Sequence, residues 1–285
     1  MLSILWTKET ENLKFSFFEN YKNALNAYLN LELKQINSIE QLSEIKLLFV
    51  IDEHFASHKK FLTSPDNIEY FNKLNIKVVI FNTEKILNSY WKHNLEIFKS
   101  IQKIKNLTYI LSDASDIKKI GTPFINKQYL SKSTNLNQYV SSKEKKNEIL
   151  FFGQLDGSAY NNRRQILNKI SKFSTIPVTI LKSTRSLSYL EYIKLISSYK
   201  YVLNPIGSGN FLNLRYFEIL ELNSIPIQQY SKEMKTYNFE LEGNFSLNFK
   251  SVKEINFENL HDLKFDAFKY YLEDYFFENN FSNLL

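Results

Sequence analysis

Short unbroken apolar runs alternate along this chain with longer stretches whose apolar positions recur every three or four residues. The first kind of pattern predicts strands buried on both faces; the second predicts helices with one apolar stripe. "LSILW" (2–6) reads as a short strand. "NLKFSFFENYKNALNAYLNLEL" (12–33) has helical spacing, with Phe18, Tyr21, Leu25 and Tyr28 on one stripe. "IKLLFVI" (45–51) is a buried strand, "NIEYFNKLN" (67–75) a helix and "IKVVIFN" (76–82) the next strand. "TEKILNSYWKHNLEIFKSIQKIKN" (83–106) reads as a longer helix and "LTYILSD" (107–113) as a further strand. Strands alternating with helices in this way predict a parallel sheet with helices on both faces.

The texture then changes. "SKSTNLNQYVSSKEKKNE" (131–148) is polar with few apolar anchors, and reads as an interdomain linker. The alternation restarts with "EILFFGQ" (148–154), a strand, then "NNRRQILNKISKF" (161–173), a helix, and "IPVTIL" (176–181), a strand. "SLSYLEYIKLISSY" (186–199) is a helix and "KYVLNP" (200–205) a strand. A helix follows, then "SIPIQ" (224–228), a strand, and "DAFKYYLEDYFFENNF" (266–281) reads as a terminal helix. The expected organisation is α/β throughout: an N-terminal domain over 1–130, a linker over 131–148 and a C-terminal domain over 149–285. Ligands of such sheets bind beyond the carboxyl ends of the strands, so a cleft between the domains is the expected working place.

Composition narrows the class. A chain of 285 residues suits two domains of ordinary size. With no cysteine, a disulfide framework and thiolate metal sites are excluded. "MLSILWTKETENLKF" has too brief an apolar run for a signal peptide, and no window is long enough to span a membrane. The cytoplasm is therefore the expected location. The net charge of +6 fits a lysine-rich solvated surface and leaves room for an anionic partner.

The most informative stretch is "KYVLNPIGSGNFLNLRYFEILELNSIPI" (200–227). Pro205 ends a strand, since it offers no N–H to the ladder. Gly207 and Gly209 allow a ligand to approach the backbone closely. The helix that follows turns unpaired N–H groups and the positive end of its dipole toward that loop, an arrangement suited to phosphate. Asn210 or Asn213 could cap it. Arg215 and Glu218 are three apart and share a helix face. An arginine fork suits a diphosphate, and a carboxylate accepts bonds from a ribose diol. The alternative reading is a surface Arg-Glu pair beside an ordinary glycine turn. The dinucleotide spacing G-x-G-x-x-G is absent, since position 212 is Leu.

This stretch resembles the donor-site segment of GT-B glycosyltransferases, most of all the exostosin-like and spore-coat-type groups. Their pattern is a lysine, an aromatic, an apolar strand, a proline, Gly-x-Gly, R-x-x-E-A-L and "IPV". Here Pro205, Gly207, Gly209, Arg215, Glu218 and Ile225-Pro226 fall in place. Ile206 stands where a basic residue is frequent, and Asn223-Ser224 where a glycine is usual. A weaker resemblance covers "EILFFGQLDGSAYNNRRQIL" (148–167). The resemblance implies two Rossmann-like domains facing a central cleft, and transfer of a sugar from a nucleotide-diphosphate donor to an acceptor hydroxyl. It implies Gly153 near the cleft, with Arg163 or Arg164 reaching the phosphates. The donor enters as substrate, so neither cofactor nor metal is expected; there is no D-x-D metal motif. The acceptor would be a glycan or a lipid-linked molecule, the latter with peripheral contact at the inner membrane face.

An inverting transfer needs a base beside the acceptor hydroxyl. "FVIDEHFASH" supplies Asp52, Glu53 and His54 directly after a buried strand, and a carboxylate beside an imidazole can set its tautomer. Glu84 and Asp113 follow later strands, where helix caps or first-turn acids are common. His58, four residues after His54, reads as incidental, and His93, His261 and Arg185 have no supporting constellation. A nucleic-acid binder is the rival from another class, and a DNA-modifying glucosyltransferase lies between the two. Lysine and arginine are spread along the chain and no nucleic-acid motif is present, so nucleic acid is not the expected partner.

Overall fold

The computed structural model describes residues 1–12, 17–82, 84–87, 93–111, 113–120, 136–141, 143–157, 160–182, 187–207, 213–232, 247–255 and 257. These fall into two compact units, residues 1–120 and 136–257. The expected terminal helix, Arg185, His261, Gly209 and Asn210 lie outside the described residues.

The first unit holds the strands β1 (Leu2–Leu5), β2 (Lys34–Ile36), β3 (Leu47–Ile51), β4 (Lys77–Phe81) and β5 (Leu107–Ile110). All pairings are parallel, in the order β2-β1-β3-β4-β5. Every residue of β3 is buried, as a strand covered on both faces requires. The helices are α1 (Lys8–Glu11), α2 (Phe17–Leu29), α3 (Ala56–Thr63), α4 (Pro65–Lys73), α5 (His93–Ile101) and α6 (Ala114–Ile120). Phe18 and Leu25 of α2 are fully buried against Ile4, Phe49 and Ile51. Asp113 accepts the N–H groups of Ser115 (2.9 Å) and Asp116 (3.2 Å), and so caps α6.

The second unit repeats the plan. Its strands are β6 (Lys146–Gly153), β7 (Val178–Lys182), β8 (Tyr199–Asn204), β9 (Ile225–Gln229) and β10 (Leu247–Phe249), parallel in the order β10-β9-β8-β6-β7. Read from each unit's own first strand, both sheets have the order 2-1-3-4-5. The chain reverses direction of travel between β1 and β3 in one sheet and between β6 and β8 in the other. Such switch points open a crevice at the carboxyl ends of the strands. The helices are α7 (Asn161–Phe173), α8 (Tyr189–Ser197) and α9 (Leu214–Glu221). Ile166, Leu167 and Ile170 of α7 join the sheet residues Phe151, Tyr201 and Ile227 in one core. β6 starts at Lys146, inside the stretch that reads as a polar linker, because its first two residues are exposed.

Lys145, just before β6, is buried enough to pull its ammonium pKa down to about 8. Its Nζ donates to the carbonyls of Ser197 (2.8 Å) and Leu222 (2.7 Å) and to Ser224 Oγ (2.9 Å). A single cation thereby closes the carboxyl ends of α8 and α9, where carbonyls have no intrahelical partner.

Candidate functional site

Two groups of polar side chains stand at the carboxyl ends of the two sheets. Each belongs to its own unit.

In the second unit, the ends of β8 and β9 are fixed by a buried amide network. Asn204 Nδ2 donates to Gln228 Oε1 (2.6 Å) and to Asn213 Oδ1 (2.9 Å), and Asn213 Nδ2 returns a bond to Asn204 Oδ1 (3.2 Å). Asn213 also caps α9 by accepting Tyr216 N–H at 3.2 Å. The segment 205–207 leaves this network with Ile206 N–H bonded to Gln229 Oε1 at 3.1 Å.

Two arginines converge there. A Cβ placed on Gly207 would meet Arg163 Nη2 at 3.3 Å, and one on Gly153 would meet Arg215 Nη1 at 3.4 Å. Gly153 ends β6 and Gly207 follows β8, so both guanidinium groups sit at the switch point. Burial and the neighbouring charge of Arg215 pull the Arg163 pKa down. Arg163 packs over the Tyr160 ring at 4.7 Å and leaves its buried Nε without a partner. No carboxylate pairs with it among the described residues. Arg164 turns away: it donates to the carbonyls of Leu155 and Gly157 and to Asn161 Oδ1, which fixes the loop after β6.

Arg215 and Glu218 are joined through a third side chain. Arg215 Nε donates to the Tyr192 hydroxyl at 3.1 Å, and that hydroxyl donates to Glu218 Oε2 at 2.9 Å. Tyr189 supplies a second hydroxyl to Glu218 Oε1 at 2.7 Å. Burial drives the Glu218 pKa up, against the two tyrosine bonds and Arg215. Burial opposes the charge of Arg215 as well, but the Tyr192 oxygen and Glu218 outweigh it and raise its pKa. Sequence reasoning missed both tyrosines. They lie three apart on α8, on one helix face, and that spacing was the available signal.

In the first unit, Asp52, Glu53 and His54 follow β3. Asp52 has a left-handed backbone, with φ 57°, and its Oδ1 accepts the His54 N–H at 3.0 Å. Aspartate tolerates this conformation because the side chain bonds locally. Glu53 is fully buried, and its Oε1 accepts from Tyr109 Oη and from Asn82 Nδ2 (2.9 Å). His54 Nε2 lies 3.2 Å from the same oxygen. Burial pulls the His54 pKa down, but Glu53, Asp52 and Glu84 outweigh it and raise it. Glu84 is pushed up to about 7 by burial and by the charges of Asp52 and Glu53. Its loop is held by Asp116, which accepts the N–H groups of Ile86 (2.6 Å) and Leu87 (2.9 Å). His58 packs against Phe18 and Phe55 with Nδ1 3.1 Å from the Asp52 carbonyl, and burial lowers its pKa. One donor atom from each of Asp52, Glu53 and His54 lies within 4.8 Å of the others, close enough to share a cation.

No family model and no curated protein matches the chain. Among solved structures, that of an α1,3-fucosyltransferase is similar at 15% identity and TM-score 0.46, over 92% of this chain and 78% of that one. An α1,3-fucosyltransferase with GDP is similar at 14% identity and TM-score 0.42, over 93% of this chain and 77% of that one.

Proposed function

We propose that this chain is a glycosyltransferase of the GT-B type, moving a sugar, of hexosyl size, from a nucleotide-diphosphate donor to an acceptor hydroxyl on a glycan or lipid-linked molecule. The observation that carries this reading is the pair of guanidinium groups, Arg163 and Arg215, at the switch point between β6 and β8. Two cations held together repel each other, and one lacks a carboxylate partner among the described residues. A dianionic ligand relieves that repulsion, and arginine forks fit phosphate oxygens. Gly153 and Gly207 leave the guanidiniums room to sit against the backbone. The donor's leaving group is a nucleoside diphosphate whose charge grows as the glycosidic bond breaks. Fixed cations stabilise that charge without a metal. Glu218, Gly209 and Asn210 stay assigned to the donor on the sequence reading alone, the last two outside the described residues. The proton of the acceptor hydroxyl goes to a base among Asp52, Glu53 and His54.

Among the described residues no helix is long and apolar enough to cross a membrane. A lipid-linked acceptor would be met from the cytoplasmic face, by lysine-rich surface.

The test is calorimetric titration of the full chain with UDP, GDP, ADP and CMP, without added metal. One diphosphate is expected to bind well above CMP, and Arg163→Ala to weaken it about tenfold or more, roughly 1.4 kcal/mol or more. Arg163 is the better probe than Arg215, whose removal also takes a donor from the buried Tyr192 and a neighbouring positive charge from Glu218. Absence of binding by all four would overturn the reading and favour a nucleic-acid ligand, checked by salt-dependent DNA and RNA binding.

A further inference from the structure

Three carboxylates and one imidazole gather after β3 and β4 of the first unit: Asp52, Glu53, Glu84 and His54. The Glu53 side chain has no exposure and that of His54 is 9% exposed. Buried charges are kept where a counter-charge or a metal ion offsets them. The charges that act most on Glu84 are those of Asp52, His54 and Glu53, and His54 is the ion-pair partner of Glu53 among the described residues. One imidazolium does not balance three carboxylates.

Two donor atoms in this group are left over. Glu53 Oε1 accepts from Tyr109 Oη and from Asn82 Nδ2 (2.9 Å), and lies 3.2 Å from His54 Nε2. Oε2 of the same carboxylate is buried with no hydrogen-bond partner. His54 Nε2 also lies 3.2 Å from Asn82 Nδ2, while Nδ1 is buried with no partner. Unsatisfied buried polar atoms cost free energy. A cation supplies what both atoms lack. Histidines that bind metal commonly give their other ring nitrogen to a carboxylate, and Nε2 stands in that relation to Glu53. One donor atom from each of Asp52, Glu53 and His54 lies within 4.8 Å of the others. Glu84 is only half-buried, so the cluster reaches solvent on that side.

We propose that Asp52, Glu53 and His54 hold a divalent metal ion, with Glu84 beside it as a further counter-charge. Carboxylate oxygens with one imidazole nitrogen and no sulfur suit Mn²⁺ or Zn²⁺. The expected absence of a metal concerned the donor phosphates, which the proposed function gives to Arg163 and Arg215 in the other unit. The ion site lies within the first unit and stands apart from the glycosyl-transfer reading. Where that reading holds, an ion here takes the lone pairs that the acceptor proton needs, so loading slows transfer.

The test is titration of the full chain, stripped of metal by a chelator, with Mn²⁺, followed by loss of the free ion's electron paramagnetic resonance signal. A single ion per chain is expected at micromolar concentration, displaced by Zn²⁺. Pulsed spectra of the bound Mn²⁺ in the parent protein should show coupling to an imidazole nitrogen, so no variant has to fold for the site to be read. His54→Gln should lose that coupling and weaken binding about tenfold or more, as should Glu53→Gln. His93→Gln, at an exposed position of α5, should leave binding unchanged. Binding only at millimolar Mn²⁺ and Zn²⁺, bound Mn²⁺ without nitrogen coupling, or undiminished affinity in His54→Gln would each overturn the site. No nucleotide enters these measurements, so failure of nucleotide binding would sink the transfer reading and leave the ion site as found.

Discussion

A side chain at Gly207 would begin 3.3 Å from Nη2 of Arg163: the loop after β8 and the guanidinium from α7 already touch. This contact is tighter than most real Cβ contacts, so one partner must give way if a methyl is added. The guanidinium is the mobile one, at the end of a long stem. Gly207→Ala should therefore displace Arg163 and weaken nucleoside diphosphate binding about tenfold, roughly 1.4 kcal/mol, with little change in melting temperature. Calorimetry and thermal unfolding of one preparation check both halves. Unchanged affinity would mean that Arg163 does not meet the ligand.

Tyr192 offers a stability prediction in the second unit. Its hydroxyl is the acceptor for Arg215 and a donor to buried Glu218. Tyr192→Phe leaves both charged groups one bond short, which should cost about 1–3 kcal/mol. Tyr189→Phe removes a donor to Glu218 but leaves Arg215 its acceptor, and should cost less. Urea unfolding of the two variants reports the order, and a larger loss in Tyr189→Phe would contradict the bridging role.

Glu84 should make the first unit's stability depend on pH. Its folded pKa is raised from 4.5 to about 7, so the folded form holds a proton that the unfolded chain releases. The stabilising contribution is complete below the unfolded value of 4.5 and is lost as pH rises through about 7. Glu84→Gln removes that loss. It should match the parent below the lower value and exceed it by on the order of 3 kcal/mol above the upper one. A parallel pH dependence of parent and variant would show that Glu84 ionises as an ordinary exposed carboxylate.

The strands and helices with strong patterns were legible in the sequence. α7 occupies the stretch its spacing predicts, because Ile166, Leu167 and Ile170 mark a single apolar face. β2 and β10 were not legible, since three-residue strands show no period. α3 was missed because its buried face consists of His58 and Leu62, and a histidine carries no apolar signal. At the sites, Arg215 and Glu218 could be paired from their spacing alone. Their bridge could not, because Tyr192 comes from another helix 26 residues away from Glu218. Tyr109 is 56 residues from Glu53, and only the register of parallel strands brings such partners together. Arg163 and Arg164 were equivalent as letters; helix phase separates them, one toward Gly207 and the other toward the carbonyls of its own loop.

The ammonium of Lys145 has a mechanical consequence. It holds the last carbonyls of α8 and α9 to one nitrogen atom, and those helices carry the two tyrosines and the Arg215–Glu218 pair. Either helix end that lifts away gives up its bond to the ammonium that also holds the other end. Opening of the two ends should therefore be coupled, and the amide hydrogens of the two helices should exchange with solvent at a common rate. Lys145→Met should split that rate into two, each helix fraying by itself, so that this half of the site would lose its rigidity one helix at a time.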